Sequence, residues 1–154
     1  MGAATWSGGN FQLGASTVAD TNIASNAAID VVKLKHAYYA RSTFGLKITD
    51  LPVAHESIVH VANQAGVLRS FAALMYTHLT GGSVTIDLKK NGVSVLTAPI
   101  TLDNTLTDRQ IVTASFSSTP FVAGDVFTIA ETISSPAGGA GPTAWVSLAE
   151  NGAP

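Results

Sequence analysis

The sequence predicts an all-β protein: a jelly-roll-like antiparallel β-sandwich of about eight strands, preceded by an N-terminal arm and one short helix. Three observations predict it. From about Thr43 onward, apolar and polar residues alternate with the period of a strand. Turn-forming residues, among them Asn91-Gly92 and Gly124-Asp125, interrupt that alternation at short intervals. The chain has 154 residues, 46% of them hydrophobic, enough for one domain with its own core, since folding at this length hides roughly 70% of the unfolded chain's surface. The division that follows is an arm with its helix over residues 1–42 and a sandwich over 43–154.

Residues 1–25 are mostly small and polar, with Trp6, Phe11 and Leu13 among their few large apolar groups. They read as an arm whose anchors dock elsewhere, because water is a poor environment for Trp6 and Phe11. A frayed terminus is the plainer alternative. Residues 26–35 suit a short helix. Ser25 or Asn26 can cap its first amides. Asp30 lies early and Lys33 and Lys35 late, as the helix dipole favours. Ala28, Ile29 and Val32 share one face, and with Leu34 they would dock the segment, which is too short to be stable alone.

Candidate strands follow at 43–49, 57–62, 67–78, 83–90, 93–102, 110–117, 125–133 and 143–149. Asn91-Gly92 marks a two-residue type I′ hairpin, in which both central residues need positive φ. Pairing Lys90 with Val93 places Val84, Ile86, Leu88 and Val95 on a core face. Thr85, Asp87, Lys89, Ser94 and Leu96 fall on the other, and a slip of one residue would bury Asp87 and Lys89. Pro99 belongs at an edge or a bulge, having no amide to donate. Ala123-Gly124-Asp125 is a second turn, after which Phe127, Ile129 and Ile133 share a face with the discordant Glu131, which lies near the strand end, is salt-bridged or marks a bulge. Residues 134–142, with two prolines and three glycines, read as a loop. In the last strand Ala144, Val146 and Leu148 alternate with Trp145, which therefore faces outward.

Segment 67–78 is apolar on both sides, with Val67, Phe71, Ala73 and Met75 on one and Leu68, Ala72, Leu74 and Tyr76 on the other. A sandwich core covers only one side of a strand, so the other requires a neighbour. Leu74, Tyr76 and Trp145 are accordingly the candidate subunit contacts.

Composition excludes several function classes. The formal charge is −2 and 12% of residues are charged, which supplies no basic stripe for nucleic acid. A surface this neutral suits burial against partners. No apolar run of about 18 residues is present, so no membrane helix is expected. Residues 1–10 carry neither a basic region nor an apolar core, so no secretion signal is expected there. There is no cysteine and hence no thiolate or disulfide chemistry.

The search for reactive groups yields structural readings. His36, His55, His60 and His78 are scattered; His55-Glu56 followed by His60 lacks the His-Glu-x-x-His spacing of a zinc helix. His60 and His78 remain able to meet across strands. No Gly-x-Ser-x-Gly elbow is present. Asp87 and Glu131 are the strand-interior acids that could act as a pair, and solvated strand charges are the simpler reading. Residues 103–108 offer oxygen ligands but lack the glycine and distal glutamate of an EF-hand, so they read as a turn. Neither an enzyme nor a cofactor is expected.

One resemblance extends this reading. Residues 82–102, containing Asp87-Leu88-Lys89-Lys90-Asn91-Gly92, followed by Val122-Ala123-Gly124-Asp125 and an apolar strand, are similar to virion proteins of tailed phages. They resemble the jelly-roll head decoration (cement) and head-fibre domains. Residues 23–34 resemble the linkers that precede such domains, and together these blocks span roughly two thirds of the chain. The resemblance implies a homotrimer made in the host cytoplasm and seated on the capsid exterior against the major capsid protein. It carries over no catalytic residue. A receptor- or carbohydrate-binding sandwich of a fibre or spike is the alternative, resting on exposed aromatics such as Tyr38, Tyr39 and Trp145.

Overall fold

The computed structural model describes residues 5–7, 10–12, 37–45 and 47–151. The chain divides into two units, Met1–Leu34 and Lys35–Pro154. In the first, β1 (Thr5–Ser7) and β2 (Asn10–Gln12) pair antiparallel, with Trp6 opposite Phe11 and Ser7 opposite Asn10. Residues 1–25 thus contain two paired strands where none was expected. Leu13 and the helix expected over 26–35, with Ile29, Val32 and Leu34, lie outside the described residues.

The second unit is one antiparallel sheet. Its strands are β3 (Ala37–Gly45), β4 (His55–Val61), β5 (Gly66–Lys90), β6 (Val93–Ser94), β7 (Ile100–Asp103), β8 (Val112–Ala114), β9 (Pro120–Phe121) and β10 (Val126–Asn151). No helix occurs among the described residues. β5 and β10 form a ribbon paired from Phe127↔Lys90 to Glu150↔Gly66. β4 flanks the first half of β10 and β3 the second. β6 and β7 flank the second half of β5, and β8 and β9 the first. The sheet is curled, and both halves of the ribbon contribute to one core: Phe71, Ala73, Met75, Val146 and Leu148 from one half join Val84, Ile86, Leu88, Phe127 and Ile129 from the other. Phe121 and Phe127 meet edge to face there, with ring centroids 5.3 Å apart.

Several expectations need correction. Residues 134–142 are not a loop; they remain in the ladder, with register shifts between Ser134 and Ala137 and between Ala137 and Gly138. Positive φ at Ser135, Gly138, Gly139 and Gly141 lets the backbone bulge and bend without leaving its partner. On the facing strand Gly82 has φ 69°, and a Cβ there would overlap the Ser134 and Ser135 carbonyls. Segments 67–78 and 83–90 are therefore one strand, as are 125–133 and 143–149. Residues 37–42, assigned above to the arm, pair with β10 and belong to the sheet. Segment 93–102 divides into β6 and β7 around the exposed Pro99.

The Asn91-Gly92 hairpin has the expected register, Lys90↔Val93, with φ of 52° and 82° at its two central residues. Val84, Ile86, Leu88 and Val95 are buried as the alternation predicts. Leu96 is buried too, because it bridges to Phe116. Leu68 lies in the core, not outside it. A bulge leaves Arg69 without a partner between Ser147↔Ser70 and Leu148↔Leu68, which turns Leu68 to the side of Phe71. Ile133, expected inside, is 42% exposed where the bulged segment begins.

Gly66 is required by close approach: a Cβ there would overlap the Ala149 carbonyl oxygen and the Phe121 ring. Gly66→Ala is expected to lower the unfolding free energy by roughly 1–3 kcal/mol through overpacking, read as a lower urea midpoint at unchanged slope.

Candidate interaction surface

The side of the ribbon opposite the core gathers the three residues proposed as subunit contacts. Trp145 stands opposite Ala72, and Thr143 opposite Leu74. Because Ala144 and Val146 face the core, Trp145 shares the outer side with Leu74 and, one alternation further, Tyr76. Tyr76 is 39% exposed. Leu74 and Trp145 are half-buried, so their own chain already covers part of each. Ile111, which alternates with the core-packed Val112, and Ile48 are both more than half exposed. Ile48 belongs to the same neighbourhood, since a Cβ on Gly141 would touch both its backbone and the Tyr76 Cβ.

A loop fixes one border of this surface. The Arg109 amide donates to the Met75 carbonyl (2.8 Å), with Arg109 held at φ 59°. Its guanidinium carbon lies 5.4 Å from the centroid of the Tyr76 ring, within cation–π range. Next to it, Asp108 Oδ1 accepts from the His78 amide (2.8 Å) and pairs with His78 Nδ1 (2.7 Å). These bonds hold the Asp108 carboxyl below its ordinary range.

The three described histidines each have a carboxylate neighbour of their own. His60 Nε2 lies 2.8 Å from Glu150 Oε1, which also accepts from the Asn63 amide. His55 Nδ1 is 3.8 Å from Glu131 and 2.8 Å from the Val53 carbonyl. His60 and His78 thus serve different carboxylates. Among the described residues no three His, Asp or Glu side chains converge to hold a metal.

The two acids considered as a catalytic pair stand in different surroundings. Asp87 Oδ1 accepts from Ser94 Oγ (2.7 Å). Of the three readings of Glu131, the strand end and the bulge fail, since it pairs with Ile86 in regular register, and the ion-pair reading finds His55 Nδ1 3.8 Å away. Glu131 faces the core beside His55, 1% exposed, with both carboxylate oxygens lacking a hydrogen bond of normal geometry. Burial pushes its carboxyl above the ordinary value, and His55 and the Val53 backbone pull partly back. Asp103, considered as a calcium ligand, closes its own turn by accepting from the Thr105 amide and hydroxyl.

Two tethers were not anticipated. One is His60–Glu150, which joins residues 90 positions apart. The other is Asn91–Asp125, in which Asn91 Nδ2 donates to Asp125 Oδ1 (2.7 Å). No local pattern signals either, although both asparagine and aspartate were recognisable as turn residues. No helix among the described residues is long and apolar enough to cross a membrane. No protein-family model, curated protein or solved structure matches the chain.

The raised carboxyl of Glu131 gives a signed pH dependence. A group whose folded pKa exceeds its unfolded one contributes stability below the unfolded value, and that contribution is lost as pH rises through the folded value. Glu131→Gln is therefore expected to raise the urea midpoint relative to the parent at about pH 8, with the gap closing below the ordinary carboxylate value of 4.5. A gap that is the same at both ends contradicts this.

Proposed function

We propose that the chain is a non-enzymatic structural protein of a virion, binding the outer surface of a phage capsid and stabilising the assembled shell. The observation that carries this reading is the outer side of the ribbon, where Leu74, Tyr76 and Trp145 gather, with the exposed Ile48 close to Tyr76 and the exposed Ile111 next to Val112, which pairs with Ala73. Apolar groups gathered on an outer sheet face favour contact with another protein. A chain with 12% charged residues presents few fixed charges to oppose it. The curled sheet is compatible with a jelly-roll-like sandwich, the architecture that the resemblance implies. In this reading the partners are the major capsid protein and two further copies in a homotrimer, with no nucleic acid, membrane or cofactor involved. Trp6, Phe11 and Leu13 of the arm, with Ile29, Val32 and Leu34, are the proposed anchors on the shell, and the protein's place is the capsid exterior. A subunit that binds only the assembled shell stabilises it by mass action.

The Tyr76 ring, exposed beside Arg109, favours a second reading: a receptor- or carbohydrate-binding domain that stacks a sugar on that ring.

Sedimentation equilibrium of the full chain is expected to give a trimer, and Tyr76→Glu to shift it to monomer while the circular dichroism spectrum is kept. Co-sedimentation with shells of the capsid protein from the same genome is expected to be saturable and weakened by Trp6→Ser. A monomer without affinity for those shells overturns the capsid reading. A glycan-array signal abolished by Tyr76→Ala establishes the alternative.

A further inference from the structure

We infer that Asn91-Gly92 is a latent deamidation site, kept silent in the folded chain by Asp125 and the Val126 amide, so that its conversion reports opening of this end of the sheet. The inference stands independently of the capsid reading. Asparagine followed by glycine is the pair a type I′ turn selects. It is also the pair least hindered toward ring closure, because glycine has no Cβ to block its nitrogen. In that reaction the Gly92 nitrogen bonds to Asn91 Cγ and the Cγ–Nδ2 bond breaks. Nδ2 leaves as ammonia, with the proton lost by the Gly92 amide balancing its departure. Water then opens the succinimide at either carbonyl to give aspartate or isoaspartate, and no other reactant is needed. Both residues are exposed, and the space around Gly92 is open, so water has access.

The carboxamide is held at both of its polar atoms. Nδ2 donates to Asp125 Oδ1 (2.7 Å), and Oδ1 accepts from the Val126 amide (2.9 Å). The Asn91 main-chain amide donates to the Val126 carbonyl (2.8 Å), which fixes the turn itself. The restraint is firm because Asp125 is fixed in turn: it is 8% exposed, its Oδ2 accepts from the Val122 amide (2.9 Å), and Lys90 Nζ lies 3.7 Å away. Turning Cγ toward the Gly92 nitrogen breaks two side-chain hydrogen bonds at once. An aspartate at 91 could still accept from the Val126 amide, but it would set a carboxylate against that of Asp125 where an amide donor stood. An isoaspartate would lengthen the backbone inside a two-residue turn. Conversion therefore disfavours return to the closed turn.

Peptide mapping by mass spectrometry of the full chain, incubated at mildly alkaline pH, tests this. The folded parent is expected to retain Asn91 while the same chain in urea converts it. Asp125→Ala, with its fold checked by circular dichroism, is expected to convert at position 91 roughly ten- to hundredfold faster than the parent, the range set by losing one hydrogen bond to a charged group. A folded Asp125→Ala with an unchanged rate overturns the inference. Should that variant not fold, the parent decides alone, because equal rates in its native and urea-denatured states also overturn it.

Discussion

The second unit depends on keeping two long strands paired through a bend. β5 and β10 exchange main-chain hydrogen bonds from one end of the sheet to the other, and each remaining strand attaches to one of them. A ribbon that bent by breaking its ladder would leave amides and carbonyls unpaired beside the core, at a cost comparable to lost hydrogen bonds. Register shifts around Ser134–Gly138 resolve the conflict, since positive-φ residues take up the extra length while pairing resumes on either side. Both halves of each strand then face one core, and Phe121 can reach Phe127 although the two attach to opposite halves of the ribbon.

The short peripheral strands have too few ladder bonds to hold themselves, and side chains supply the difference. Asp125 closes its own turn and tethers the hairpin tip. Lys90 Nζ reaches the Pro120 carbonyl (2.9 Å) at β9. Glu150 joins the end of β10 to His60 on β4. Glu56 accepts from both Lys89 and Thr128, linking β4, β10 and β5 across the outer side. Among the described residues, the acidic side chains mostly serve such internal bonds. The scarce charge is thereby spent on positioning strands, and apolar groups such as Ile48 and Ile111 stand on a largely neutral surface. Glu131 departs from the pattern, since it is buried in the core face without comparable partners.

The parts of this architecture legible in the sequence are those that a short window specifies. The type I′ hairpin at Asn91-Gly92 and the core face of Val84, Ile86 and Leu88 follow from turn chemistry and alternation. That Leu74, Tyr76 and Trp145 each face away from the core was also legible, because alternation between the bulges is undisturbed; that they share one side follows only from the pairing of β5 with β10. The glycines and prolines of 134–142 were visible, but the same residues that end a strand also permit a bulge. What distinguishes the two outcomes is the partner strand, and Leu79–Gly82 lies more than fifty positions away in sequence. Leu68 was misplaced for the same reason, since one unpaired residue at Arg69 inverts the faces on one side of it.

The amino-acid sequence by itself determined an all-β class, the turn positions and the inward faces of single strands, because period and turn conformation are properties of neighbouring residues. Only the tertiary structure decided that four apparent strands are two continuous ones, that residues 37–42 enter the sheet, that Glu131 is buried beside His55, and that Glu150 finds His60. Those outcomes are set by which distant segments pair and in what register. That choice minimises unpaired backbone groups over the whole sheet, a sum to which no local stretch of chain has access.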